Sequence, residues 1–341
     1  MAKRAVVLML CSLMLVVVLS ACGEEGSGQQ TASQQAVESL PNPDGRILTA
    51  NQASNTISII DVATDSAYGT VGTGAQPHHV VGTPDGKEFW VSLYGETRVQ
   101  AFDATTLKEV GSVDVGAVND DLTFDPEGKK LYISLGKNDA VAVVDVVGKK
   151  LLQTVPVGKT PHGVKVSPDG KWLVVTNTAD NTVSVLSLQP EAKVASTIKT
   201  GANPFEVVIA GDSNTAYVSN FLGDSVAVVD IAAGKTTAYI KSGKQPAMIS
   251  LVDGGGGDKL WIANTGSAEV WLVDAATRKL VTRVPAGQGT HGTALTPSGK
   301  LYVTNTNDNT VTVIDTNTQK VLTTIPVGTN PNGLTYMAAV K

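Results

Sequence analysis

Only two cysteines occur in the 341 residues, Cys11 and Cys22. Both lie near the start, so no disulfide can staple the remainder and its stability must come from packing. Charge is sparse as well. Charged residues make up 17% of the chain, with 26 Lys+Arg against 31 Asp+Glu and a formal net charge of -5. Phosphate binding draws on clustered Lys and Arg, so this balance argues against nucleic acid as a partner. Several chemical motifs are missing. There is no Gly-x-Ser-x-Gly elbow and no Cys-x-x-Cys-His, which excludes covalent haem. The four glycines 254–257 precede Asp258-Lys259 rather than Gly-Lys-Ser/Thr, so they form no phosphate loop. What is plentiful is glycine, at 34 residues, among β-branched runs. That composition points to many short strands and tight turns.

The N-terminus reads as a targeting segment. Lys3 and Arg4 precede an apolar stretch over residues 5–19, shorter than the ~20 residues of a spanning helix. Leu19-Ser20-Ala21-Cys22 then resembles the bacterial lipobox, whose cysteine is lipidated after cleavage. The expectation is a signal peptide over 1–21, a lipid on Cys22 and a Gly/Ser/Gln-rich tether over 22–45. Gly23 differs from the Asp that resembles an inner-membrane retention signal. The expected location is thus the cell envelope outside the cytoplasm, with membrane contact through the lipid. In a host with an outer membrane, that membrane is the destination.

Residues 46–341 repeat. Gly74, Gly116, Gly158, Gly201, Gly243, Gly287 and Gly328 align at intervals of 41–44 residues. Each unit holds four strand-like segments, here A to D. A leads into a turn such as Pro84-Asp85-Gly86 or Pro168-Asp169-Gly170. B is exemplified by Tyr302-Val303-Thr304-Asn305. C alternates strictly, as in Thr310-Val311-Thr312-Val313-Ile314. D ends in Val155-Pro156-Val157 or Ile325-Pro326-Val327. A period of about 42 with four strands per unit is that of a propeller. Proline cannot donate to a ladder, so D is the outer edge strand and A lies near the axis. The chain starts on a B segment and stops on an A segment. Pairing residues 334–336 with 48–51 would complete the seventh blade and leave no open seam. The expectation is an all-β, seven-bladed propeller with four-stranded antiparallel blades, as one monomeric domain.

Tyr302-Val303-Thr304-Asn305 is the literal signature of the YVTN-repeat (YncE-like) propellers. Tyr217-Val218-Ser219-Asn220, Pro161-His162-Gly163 and Ser167-Pro168-Asp169-Gly170 resemble other parts of that repeat. The resemblance implies the fold. It says little of function, since related propellers bind partners, carry metals or act as lactonases and lyases.

All four histidines fall just after the aligned glycine. The fourth residue beyond each glycine is His78, Asp120, His162, Phe205, Ala247, His291 and Asn332, with His79 and Glu206 one later. A closed ring would bring them to one mouth of the central channel, with Phe205 and Ala247 as an apolar gap. Three readings are open. The rings of His162 and His291 could simply hydrogen-bond the ends of their own B strands, near Asn177 and Asn305. The mouth could bind a protein, a glycan or a small ligand. Or His78, Asp120, His162 and His291 could hold a divalent metal that polarises a carbonyl or activates water. The B-strand asparagines and the Asp that ends C (Asp61, Asp103, Asp145, Asp230, Asp274, Asp315) are read as turn-satisfying residues. Trp90, Trp172, Trp261 and Trp271 are read as blade packing. The leading expectation is a non-catalytic binding module without cofactor. The alternative is a metal-assisted lyase or lactonase at the same mouth.

Overall fold

A computed structural model describes residues 45–253 and 257–339. The signal peptide, Cys22 and nearly all of the tether lie outside the described residues. Among the described residues, twenty-eight strands form seven four-stranded antiparallel sheets. Blade 1 comprises Pro77–Gly82, Glu88–Leu93, Arg98–Asp103 and Glu109–Asp114 as its A to D strands. Blades 2 to 6 follow in order. Each innermost A strand lies against the next, around a closed circle. In blade 2 this strand is short, Leu122–Phe124.

The seventh blade is assembled from both ends of the described chain. Its inner strand is Pro331–Met337 and its other three are Arg46–Asn51, Thr56–Asp61 and Ser66–Gly72. The register pairs Ile47 with Tyr336, Leu48 with Thr335 and Thr49 with Leu334. The seam expected from the phase of the repeat is therefore closed.

The core lies between blades rather than within them. Seven apolar clusters each span two neighbours. Leu48, Ile57 and Ile59 of blade 7, for example, pack on Val80, Phe89 and Val91 of blade 1. Ile47 and Ile60 of blade 7 pack on Tyr302, Val311 and Val313 of blade 6. B and C strands are buried on both faces, whereas D strands such as Lys150–Pro156 are mostly exposed, which fits their prolines. Trp90 and Trp261 are fully buried in this packing. The residue that ends C caps its turn as expected. The Asp315 carboxylate, for instance, accepts the amides of Asn317 (2.8 Å) and Thr318 (3.0 Å).

The aligned glycine has a direct physical cause. Asn177 accepts the Gly158 amide at 3.1 Å and donates to Thr182 and Ser184, both at 3.0 Å. A Cβ on Gly158 would lie 2.5 Å from Asn177 Cγ, so the asparagine excludes any side chain there. Asn220 holds Gly201 likewise, at 2.9 Å. These asparagines are fully buried and tie the loop between blades to strand B.

Candidate active site

One irregularity recurs where A begins. In six of the seven blades described, two consecutive A residues oppose one B residue, a β-bulge. The ladder slips between Pro77 and Val80 in blade 1, Pro161 and Val164 in blade 3, and Thr290 and Thr293 in blade 6. In five blades the opposing B residue carries a hydroxyl that accepts the amide of the second bulge residue, as Ser92 does for His79 (2.9 Å) and Thr176 for Gly163 (2.8 Å). That hydroxyl also donates to the next blade, Ser92 to the Asp120 carbonyl (2.5 Å) and Thr176 to the Phe205 carbonyl (2.9 Å). Successive residues of a strand point to opposite sides. The bulge thus sends its two side chains to different mouths.

The first bulge residues gather around a cavity of about 840 Å³. His78, Asp120, His162, Phe205, His291 and Asn332 line it, together with loops between blades. Ala247 is fully buried. The ring nitrogens of His78 and His162 and a carboxylate oxygen of Asp120 supply three ligand atoms within 4.8 Å of one another. Four-coordinate zinc with ~2.0–2.1 Å bonds holds its ligands roughly 3.4 Å apart, so these side chains need contract by little more than an ångström. The second bulge residues His79 and Glu206 do not share this mouth. They line the opposite cavity of about 630 Å³ with Asp121 and Lys165. The expected single mouth is thus two, because a repeat alignment treats neighbouring positions alike while a strand does not.

The histidine rings are also fixed differently from the simplest expectation. His162 Nδ1 lies 3.1 Å from the carbonyl of Phe205 in the next blade, and His78 Nδ1 lies 3.3 Å from that of Asp120. His162 thus meets the next blade rather than Asn177 of its own B strand. A carbonyl only accepts, so Nδ1 carries the proton and Nε2 keeps its lone pair. A backbone carbonyl that orients one ring nitrogen and frees the other is the usual support of a metal-binding imidazole. Burial, followed by the charges of His162, His291 and His79, holds His78 well below the usual imidazole range. Burial raises the Asp120 carboxyl against the lowering effect of His162 and the Gly136 amide.

His291 stands on the same cavity with Nδ1 buried and without a hydrogen-bond partner. Burial, then His162 and His79, lower it to about 3. The unfolded chain binds a proton there near pH 6.5 and the native metal-free protein does not. This contribution to stability is complete above pH 6.5 and is lost as pH falls towards 3. Glu206, raised by burial and by Asp121, acts in the opposite sense near its own range. The melting temperature of metal-free protein is therefore expected to fall on acidification from pH 6.5 to 4, and less so in His291→Gln. Parallel curves for the two proteins would contradict this.

In the opposite cavity His79 pairs with Asp121 across blades 1 and 2. Asp121 also accepts the Val164 amide of blade 3 at 3.0 Å. Burial raises Asp121, but the charge and hydrogen bond of His79 and the Val164 amide outweigh it and hold it at about 2. Asp121 was not singled out from the sequence. Its signal was its place beside Asp120, in register with His79 and Glu206 of other units.

Solved structures give the fold. A protein of unknown function from Desulfotomaculum acetoxidans superposes with a TM-score of 0.76 at 15% identity, covering 86% of this chain and 98% of its own. The periplasmic gluconolactonase of Pseudomonas aeruginosa gives 0.72 at 19% identity, covering 87% and 99%. Kuenenia stuttgartiensis hydrazine synthase gives 0.69 at 21%, covering 75% and 88%. No curated relative matches by sequence. The expectation of a non-catalytic binding module is overturned by the family comparison: residues 77–200, which include His78, Asp120 and His162, match the model of an enzyme family described as "Lactonase, 7-bladed beta-propeller".

Proposed function

We propose that the protein hydrolyses a lactone at the mouth lined by His78, Asp120, His162 and His291. The observation that carries this reading is the convergence of three ligand atoms within 4.8 Å, inside a segment that matches a lactonase family. His78, Asp120 and His162 would hold a divalent cation, whose chemistry is to polarise an ester carbonyl and acidify a bound water. The chain's own residues do the rest. The Phe205 and Asp120 carbonyls keep both imidazoles in the orientation that frees Nε2. His291, uncharged and with Nδ1 uncommitted, would accept a proton from the attacking water and return it to the ring oxygen as the C–O bond breaks. Water adds to the carbonyl carbon, the ring opens, and a hydroxy acid leaves.

The test is lactone hydrolysis by the full-length protein in a pH-stat, before and after removal of divalent metal by a chelator. The expected rate is well above the spontaneous one, falls with the metal and returns with it. A rate equal to the spontaneous one would refute it.

We also place the protein outside the cytoplasm, attached to the envelope through a lipidated Cys22. The basic start, apolar run and Leu19-Ser20-Ala21-Cys22 support this, and one propeller of similar fold is itself periplasmic. Metabolic labelling with palmitate should mark the wild type and spare Cys22→Ser; equal labelling would exclude the anchor.

A further inference from the structure

The wall of the catalytic mouth is uneven. Phe205 stacks on His162 with ring centroids 3.9 Å apart, lies 5.3 Å from Phe221 and meets His291 edge-on at 5.5 Å. On the other side Tyr94 lies 5.8 Å from His78. The candidate ligands are thus flanked by aromatic rings on both sides. Tyr94, which lines the cavity, remains 41% exposed. Aromatic rings that line a cavity and stay uncovered by protein suit an apolar ligand.

The polar lining is largely committed elsewhere. Lys159 Nζ sits 2.6 Å from Asp139, whose other oxygen accepts the Thr160 amide at 2.9 Å. The Thr178 hydroxyl donates to the Thr160 carbonyl (2.8 Å) and the Thr265 hydroxyl to the Thr290 carbonyl (2.7 Å). Among the described residues that line this cavity, Lys137 is the one cation outside an ion pair. A sugar lactone presents several hydroxyls that need uncommitted donors and acceptors, and a phosphorylated one needs a fork of cations. No fork of cations lines this mouth among the described residues, and its uncommitted polar groups, such as Lys137 and His291 Nδ1, stand beside the rings of Phe205, Phe221 and Tyr94.

We infer that the substrate is a lactone bearing a hydrophobic substituent, an alkyl chain or a flat aromatic group. That substituent lies along Phe205 and Phe221 while the ester carbonyl faces His78, Asp120 and His162. The inference rests on the hydrolase reading above and narrows it to a substrate class.

The experiment compares kcat/KM of the full-length, metal-supplied protein for δ-decalactone and for gluconolactone, each corrected for spontaneous hydrolysis. The alkyl lactone is expected to be preferred by at least about tenfold, the scale on which an apolar pocket discriminates. Phe221→Ala is expected to cut that preference about tenfold. Preference for gluconolactone, or an unchanged preference ratio in a folded Phe221→Ala protein, overturns the inference and leaves the hydrolase reading standing. Hydrolysis of neither lactone overturns both.

Discussion

A chain stopped after Gly328 is expected to melt at least about 10 °C below the full-length protein, or not to fold at all. The deletion removes Pro331–Met337, the inner strand of the seventh blade. Leu334 and Met337 are each 3% exposed, and burial of such side chains is worth roughly 1.5–3 kcal/mol apiece. More is lost than these two contacts. Met337 seats against Gly82 of blade 1, where even a Cβ would lie 2.7 Å from its Cγ, so the strand closes one blade interface from within. Leu334 belongs to the cluster that joins blades 6 and 7. The backbone of Arg46–Asn51 would keep Thr56–Asp61 but lose its inner partner and present an open edge at the axis. Total stabilities of folded domains are about 5–15 kcal/mol, so a loss on this scale is decisive. A melting temperature within a degree or two of the full chain would contradict the closure.

The second large effect concerns the mouth. The double variant His78→Ala/His162→Ala is expected to lose lactone hydrolysis by at least about a thousandfold, down to the spontaneous rate, while it keeps its melting temperature within a few degrees. The reasons for retained folding are local. Both rings are partly exposed to the cavity, and their Nδ1 atoms meet carbonyls that already accept the hydroxyls of Ser92 and Thr176. Removal of the imidazoles therefore leaves no buried carbonyl without a partner. Loss of activity with loss of folding would instead mean that the rings serve the packing of the blades.

The ring and its seam were legible because they depend on quantities a single sequence carries. One is the interval between glycines such as Gly158 and Gly201, each dictated by the asparagine beneath it. The other is the phase of the repeat at Arg46 and Met337. The gathering of His78, Asp120 and His162 was legible for the same reason, since equal positions in equal units meet at one end of an axis. Repeat position alone did not show the bulge. It separates His78 from His79 and Phe205 from Glu206, and it depends on Ser92 and Thr176 hydroxyls that read as ordinary strand residues. Nor did it show the pairing of His79 with Asp121, which joins two units and has no counterpart where Gly163, Gly292 and Gly333 stand. In blade 7 a side chain at Gly333 would collide with the His79 ring itself. Function was the least legible part. The sequence favoured a binder, and it was the match of residues 77–200 to a lactonase family that reversed the order of the two readings.

The most direct measurement is the metal content of the full-length protein, equilibrated with zinc, freed of excess and analysed for the element beside the His78→Ala/His162→Ala variant. The account predicts one ion per wild-type chain and none retained by the variant. Equal content in the two proteins, or none in the wild type, would contradict a cation site built from these imidazoles.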